Sequence, residues 1–438
     1  MSWNLLYLLD ALAIFSFAIS YYLTCYRKGY RIDMWHSQMF MGIVMPNMLM
    51  LPFTRSELNY PILGNDFAAV QDVLPNVFLI SLLGYLGILA GGFAWRIHIG
   101  LGTRKLAAQL LDIVPQCSMM LMSSRSVLVF QALLCMALQI MMLMLYFGQN
   151  GFGFDLRAYT FAHPELRPVA LIISNYSIVI ASHSLARYID TKEKVLLACT
   201  LLLSFGLLFF GARSNILSIY ISILLCYLIK LRTRVSLLRI VVTASAMILV
   251  VLYLGSVRSG QYSLGTFFSL LAALLLYGNT FSDLREFAWV DAVWDHQFWM
   301  GKTYLAALMS FVPRFVSQFR DTWGMGAATA TTLGFDPHEH PGVRPGSFGE
   351  SYFNFGLPGV MIVGLILGIM WRYIDIYTKK NLAPQRFSMM RAFAFTNLTI
   401  VSGAIAITSN ASALYVLGGI FLFTWLCLQV HRIFLIQN

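Results

Sequence analysis

The chain has 438 residues, of which 58% are hydrophobic and only 11% are charged, and its formal net charge is +11. Its mean hydropathy is +0.71. A soluble domain has about a quarter of its residues charged. The composition therefore excludes a cytosolic enzyme, a disordered chain and a secreted disulfide scaffold, and it predicts an integral membrane protein.

Eleven apolar runs are long enough, or nearly so, to cross a bilayer as helices, which takes about 17–25 residues. They predict an all-α polytopic fold, and the second run contains Pro46 and Pro52. The predicted spans are 4–24, 37–53, 73–94, 127–148, 168–186, 195–211, 214–229, 237–256, 357–376, 391–408 and 413–431.

The distribution of Lys and Arg predicts the orientation, because cytoplasmic connections carry the excess of basic residues. An outside N-terminus places 20 of the 30 basic residues on the cytoplasmic side, and it places the C-terminus there as well. We therefore predict spans 1–8 in residues 1–256, a large periplasmic loop in 257–356 and spans 9–11 in 357–438. The outer basic residues are Arg55, Arg157, Arg167, Arg213, Arg258, Arg285, Lys302, Arg314, Arg320 and Arg344.

The long outer loop contains two apolar stretches, 264–277 and 303–316, which are short for a span. They suit interfacial or re-entrant helices. If both spanned the membrane, residues 283–302 would form a cytoplasmic loop with four acidic residues against two basic ones. That charge opposes the positive-inside rule, so we predict that both stretches stay outside.

Four tryptophans of this loop suit either the headgroup interface or stacking against sugar rings. They are Trp289, Trp294, Trp299 and Trp323.

Titratable groups cluster in the Gly- and Pro-rich segment 334–359. His338 and His340 flank Glu339, and the trio has three interpretations: a general base, a metal site, or solvated loop residues. Glu350 is a rival base, because a carboxylate just above an apolar span can be partly desolvated.

The cysteines predict neither a disulfide framework nor a metal cluster. All six fall in predicted cytoplasmic loops or in the cytoplasmic halves of helices, and no CxxC or Cys/His ligand spacing occurs. We interpret them as small core residues.

Arg213 lies in GARSNIL (211–217), between two short apolar spans, at the predicted level of the outer headgroups. An arginine at this level either snorkels to the interface or meets an anion, and its planar guanidinium suits phosphate oxygens. Arg157, Arg167 and Arg314 repeat this placement. The four arginines favour an anion site over simple headgroup anchoring.

Three segments resemble the bacterial polysaccharide repeat-unit polymerases, the O-antigen polymerase (Wzy-type) family. They are GARSNIL (211–217), PRFV (313–316) and GSFGESYFNFGLPG (346–359). The layout of about eleven spans with one large late periplasmic loop is similar along nearly the whole chain. The resemblance implies a fold like that of the membrane-embedded GT-C-like glycosyltransferases.

The resemblance also implies an activity. A growing glycan on undecaprenyl pyrophosphate is transferred to the outer sugar of an incoming lipid-linked repeat unit, at the periplasmic face of the bacterial inner membrane. No metal or other cofactor is implied, and the implied partners are lipid-linked oligosaccharides, membrane lipids and a chain-length regulator. On this interpretation the catalytic residues are His338, His340, Glu350, Arg213 and Arg314, and the pyrophosphate- or glycan-binding residues are Arg157, Arg167, Arg258, Arg344, Tyr352 and Asn354.

Three alternatives remain open at this stage. An O-antigen ligase uses the same donor and passes the glycan to a lipid A core. A transporter or flippase of the same lipid predicts charged residues near the bilayer centre and paired broken helices. A structural membrane scaffold leaves the placement of the arginines without an explanation.

Overall fold

The computed structural model describes most of the chain as helices and turns. The described positions are 2–30, 32–55, 67–94, 101–150, 156, 159, 160, 163, 165–210, 213–230, 242, 245, 246, 249, 281–312, 316–337, 340, 342–382, 388–406 and 411–437, with a few side chains inside these ranges left out. The regular elements of these positions are all helical. The predicted all-α class is thereby confirmed for the described residues.

The helices are numbered in chain order. They are α1 Trp3–Thr24, α2 Met34–Met39, α3 Leu51–Thr54, α4 Phe67–Ala94, α5 Leu101–Leu121, α6 Arg125–Asn150, α7 Arg167–Thr191, α8 Lys194–Phe209, α9 Arg213–Lys230, α10 Asp283–Val293, α11 Lys302–Leu308, α12 Gln318–Trp323, α13 Met325–Thr332, α14 Gly346–Leu382, α15 Met389–Ala406 and α16 Ala411–Gln437. A 3₁₀ turn, Tyr26–Lys28, follows α1, and a π-helix, Phe40–Leu49, joins α2 to α3.

Among the described residues, six helices are long and apolar enough to cross a membrane: α1, α4, α6, α7, α14 and α16. A membrane protein is therefore supported. Helices α8, α9 and α15 coincide with three further predicted spans, and the predicted span 237–256 lies mostly outside the described residues. The total of eleven spans stays a prediction.

The second predicted span, 37–53, is a broken helix. The π-helix Phe40–Leu49 contains Pro46, and Pro52 lies in the first turn of α3. Proline has no N–H to donate and its ring clashes with the preceding turn, which disturbs the regular α-helical hydrogen bonding in this stretch.

Helix α5 lies in a region that the sequence predicts to be a cytoplasmic loop. Its sequence, LGTRKLAAQLLDIVPQCSMML, begins with a polar half and ends with an apolar one. The charges of Arg104, Lys105 and Asp112 keep its hydropathy below that of a span, so no long apolar run marks this helix in the sequence.

The chain forms two compact units, each built from three separate segments. Unit 1 comprises Met1–Leu101, Leu264–Tyr377 and Thr399–Ser412; unit 2 comprises Gly102–Ser263, Thr378–Leu398 and Ala413–Asn438. In unit 2, helices α6 to α9 pack together. Polar side chains join helices there: Gln139 donates to Ser177 at 2.9 Å, and Asn397 donates to Ser118 at 2.9 Å.

In unit 1, α4 and α14 approach closely along glycines. A Cβ built on Gly91 would lie 2.3 Å from the Leu365 carbonyl oxygen, and one on Gly368 would lie 2.2 Å from the Ile88 carbonyl oxygen. One on Gly364 would lie 2.4 Å from the Gly84 carbonyl oxygen. Small residues of this kind let two membrane helices bring their backbones into contact.

Helix α14 breaks at Gly356, which has φ +65° and ψ −158°. The break leaves the last carbonyl groups of the first half, residues 346–355, without helical partners. Backbone N–H groups of an earlier segment bond two of them: Trp299 donates to Phe353 at 2.9 Å and Met300 donates to Asn354 at 3.2 Å. The predicted outer loop is therefore tied to the start of the next predicted span.

Parts of this loop are buried within unit 1. Helix α10 packs against α4, and its residues 284–291 are all buried. The Phe348 ring packs directly against Gly84, in the middle of α4: a Cβ built on this glycine would lie 2.5 Å from the ring. The second apolar stretch, 303–316, does not continue as a spanning helix, because α11 ends at Leu308 after 7 residues.

The interpretation of the loop tryptophans as an interface belt or a sugar-stacking surface is wrong for three of them. Trp289, Trp294 and Trp299 are buried in the core of unit 1, and Trp294 and Trp299 pack against Phe353 at ring distances of 5.0 and 5.1 Å. Trp323 is half-buried, with the Lys302 ammonium 4.1 Å from its ring centroid.

The glycine contact of α4 and α14 predicts that Gly91→Ala destabilises the protein. The new methyl group would meet the backbone of α14, and overpacking of this kind costs about 1–3 kcal/mol. Thermal unfolding of the purified protein in detergent measures the loss.

Gly418→Ala is the matched control, because a Cβ there has no neighbour within 4 Å. A helix-interior alanine is better than glycine by about 0.5–1 kcal/mol, so the control should be neutral or stabilising. Equal effects of the two substitutions would contradict the close packing.

Candidate functional site

The predicted site residues fall in three groups. His340, Arg344, Glu350, Tyr352 and Asn354 belong to unit 1. Arg167, half-buried at the first residue of α7, and Arg213, the first residue of α9, belong to unit 2, and the Arg213 side chain lies outside the description. The remaining four, His338, Arg314, Arg157 and Arg258, lie outside the described residues, and their roles stay predictions.

The start of α10 forms a cluster of charged groups. The Glu286 carboxylate accepts hydrogen bonds from the Ser282 hydroxyl at 2.5 Å and from the backbone N–H of Arg344. The Arg285 guanidinium lies 3.8 Å from the same carboxylate. Asp283 and Glu286 occupy the first turn of the helix, where its dipole favours negative charge.

Asp283 is the unusual group of this cluster. The pKa of its carboxyl is raised from 3.8 to about 7, mainly by burial and also by the neighbouring Glu286, while Arg344 opposes the rise. A carboxyl with a pKa near neutrality can accept a proton and release it again at physiological pH.

Gly346 allows the chain to pass close to this carboxyl. Its φ is +70°, and a Cβ there would lie 2.8 Å from the Asp283 Oδ2 atom. Any other residue at position 346 would meet both backbone strain and the carboxylate.

Arg344 stands at the accessible edge of the cluster. Its side chain is exposed, while its backbone N–H is fixed to the buried Glu286. The anchored backbone holds an accessible guanidinium beside Asp283. This pair combines a cation that suits phosphate oxygens with a carboxyl that can accept a proton.

Glu350, the predicted rival base, is buried and participates in a network that joins α14 to α11. It accepts a hydrogen bond from the Thr303 hydroxyl at 2.7 Å. The Asn354 amide donates to the same hydroxyl and to the Glu350 carbonyl oxygen, both at 2.8 Å, and accepts from the Gly301 N–H at 2.9 Å.

These contacts argue against direct substrate contact by Asn354. The side chain is fully buried, and both its oxygen and its nitrogen are engaged within the protein. Glu350 is only 3% exposed, which leaves little access for an attacking sugar hydroxyl. Both residues position the segment that carries Trp299 to Thr303.

Tyr352 and His340 keep more accessible positions. Tyr352 is half-buried, and its ring packs against Phe287 and Trp294 at 5.7 and 5.8 Å. His340 is half-buried and stacks on Phe335 at 4.5 Å, while its Nδ1 accepts a hydrogen bond from the Gly342 N–H at 3.1 Å. With Nδ1 as the acceptor, a neutral ring carries its proton on Nε2.

A second carboxyl with a shifted pKa lies on the same helix. Burial raises the pKa of Asp291 to about 6, and the nearby His296 opposes the rise. The ring of His296 packs against Trp294 at 5.2 Å. Asp283, Glu286 and Asp291 entered the sequence predictions only as charges of the loop. The signal that could have identified them was a set of acidic residues in a short segment rich in apolar and aromatic residues.

No protein-family model, no curated protein and no solved structure matches the chain.

The buried network predicts that Thr303→Val destabilises the protein by about 1–3 kcal/mol. The substitution leaves the Glu350 carboxylate and the Asn354 amide without the hydroxyl that joins them, and buried polar groups that lose a partner carry a cost of this size. Unfolding in detergent measures the change.

Thr322→Val serves as the control, because Thr322 is exposed and its hydroxyl donates only within its own helix. Its effect should stay within about 0.5 kcal/mol. A Thr303→Val protein as stable as this control would contradict the structural role of the network.

Proposed function

We propose that the protein polymerises lipid-linked oligosaccharide repeat units at the outer face of the bacterial inner membrane. The growing glycan moves from undecaprenyl pyrophosphate to the outer sugar of an incoming lipid-linked repeat unit. The observation that carries this proposal is the exposed Arg344 held beside Asp283, a carboxyl with a pKa of about 7.

The reaction needs two things that this pair can supply. A hydroxyl of the acceptor sugar attacks the anomeric carbon of the donor, and the bond from that carbon to the pyrophosphate oxygen breaks. The hydroxyl proton passes to a base, for which Asp283 in its ionised form is our candidate. The leaving pyrophosphate gains negative charge, which the Arg344 guanidinium stabilises as it develops.

The surroundings suit a substrate that resides in the membrane. The site belongs to a unit with three helices apolar enough to span a bilayer, α1, α4 and α14, so a polyprenyl chain can approach laterally. The pyrophosphate of such a lipid lies at the headgroup level, which is the predicted level of the outer arginines. Arg213 and Arg314 remain candidates for the same anion, and His338 and His340 remain alternative bases.

Chain-length analysis in cells tests the proposal. Deletion of the gene should leave single repeat units on the lipid carrier, because the donor and acceptor are still made but not joined. Full-length polymer stranded on the carrier would instead indicate the ligase.

Complementation with variants assigns the residues. Arg344→Ala should lower the polymerisation rate by about 10²–10³, by analogy with the loss of one oxyanion donor, and Arg344→Lys should retain part of the activity. Arg55→Ala is the control, because Arg55 is also exposed on the predicted outer side, where it lies 4.3 Å from the Trp3 ring. Normal glycan lengths with Arg344→Ala at normal protein levels would remove Arg344 from the mechanism.

A further inference from the structure

The segment between α1 and α2 brings together three side chains that no sequence motif connects. Cys25 follows the last residue of α1, and the 3₁₀ turn Tyr26–Lys28 ends at Gly29, which has φ +80°. The Tyr30 N–H then bonds back to the Cys25 carbonyl oxygen at 3.2 Å. This tight turn returns the chain to the start of α2, where Asp33 is the N-cap.

Cys25, Asp33 and His36 meet inside this turn. One ligand atom from each lies within 4.8 Å of those from the other two. The three residues are 0%, 1% and 3% exposed. The Asp33 Oδ1 atom lies 2.7 Å from the His36 Nδ1 atom, so the two side chains are already aligned on each other.

The chemistry of the three donors is that of a zinc site. A thiolate, an imidazole nitrogen and a carboxylate oxygen all bind Zn²⁺, and three protein ligands leave a fourth position of the tetrahedron for a water or another oxygen. Bonds of about 2.0–2.1 Å to nitrogen and oxygen put those two donors about 3.3 Å apart in a tetrahedron. The Asp33–His36 pair therefore needs to open by only about 0.6 Å to admit the ion.

The groups around His36 hold its ring in place. The other ring nitrogen, Nε2, lies 3.2 Å from the Ser20 hydroxyl and 3.5 Å from the Thr24 hydroxyl. Such outer hydrogen bonds orient a metal-binding histidine. The rings of Phe17, Tyr21 and Trp35 surround the imidazole at 5.8, 5.6 and 4.7 Å and shield it from bulk solvent.

The contacts in the order Ser20, His36, Asp33 also match those of a hydrolytic triad. That interpretation fails on access, because Ser20 is only 4% exposed and no substrate can reach its hydroxyl.

We propose that Cys25, Asp33 and His36 bind a Zn²⁺ ion, with His36 coordinating through Nδ1. Binding releases the proton of the Cys25 thiol, and His36 binds as the neutral tautomer that carries its proton on Nε2, next to the Ser20 hydroxyl, so that the ion replaces the hydrogen bond between Asp33 and His36. The ion joins the end of α1 to the start of α2. The same start of α2 is bonded to α14, since the Met34 N–H donates to Asp375 at 3.2 Å. The proposal is independent of the polymerase activity.

Metal analysis of the purified full-length protein tests the site. Protein loaded with Zn²⁺ and then desalted should retain about one zinc per chain. Cys25→Ser and His36→Gln should lose it, and Ser20→Ala should weaken binding by about 10–100-fold, as expected for an outer-shell partner. Cys199→Ser is the control, because Cys199 is a buried cysteine of unit 2, and its zinc content should equal that of the wild type.

The Co²⁺ absorption spectrum and thermal unfolding provide two further tests on the folded protein. Co²⁺ should give the near-ultraviolet thiolate band in the wild type and in Cys199→Ser but not in Cys25→Ser, and Zn²⁺ should raise the Tm of the wild type while Mg²⁺ does not. Wild-type protein that holds no more zinc than Cys25→Ser, or that lacks the thiolate band, would show that Asp33 and His36 form only a hydrogen-bonded pair and would overturn the proposal.

Discussion

The direct backbone contact of α4 with α14 is the constraint on which unit 1 depends. It exists because Gly84, Gly91, Gly364 and Gly368 have no side chains to separate the two helices. Two further elements pack against α4: helix α10 lies along it, and Trp35 occupies the space beside Gly92. The position of the candidate site, at the start of α10, is therefore set by a contact between two membrane helices.

The break in α14 at Gly356 shapes the candidate site. Because α14 turns there, its first half folds beside α4 and α10 instead of extending as a straight helix. The freed carbonyl groups capture the segment from Trp299 to Gly301, and the Glu350–Thr303–Asn354 network locks it. Buried polar groups tolerate this apolar environment only when each finds a partner. The network is a structural necessity, which explains why two residues predicted to act on substrate are buried.

The sequence predicted the helical class and most long helices, because hydropathy over about 20 residues depends only on local composition. It missed α5, whose charged residues interrupt the apolar pattern, and the π-helix, whose geometry reflects a proline inside a packed unit. Arg344 was predicted from its chemistry. Asp283 was not, because its raised pKa arises from burial and from the neighbouring Glu286, against the opposing charge of Arg344, and that arrangement exists only once the chain is folded.

Polymerisation by the purified protein in liposomes, with single lipid-linked repeat units as the only substrate, tests the central claim most directly. The predicted result is a ladder of longer lipid-linked glycans. Its formation rate should rise about tenfold per pH unit below about pH 7 and level off above it, because Asp283 accepts a proton only when ionised. Asp283→Asn should lose this activity at every pH. Repeat units that stay single at all pH values, or an Asp283→Asn protein with the wild-type rate and pH profile, would contradict the account.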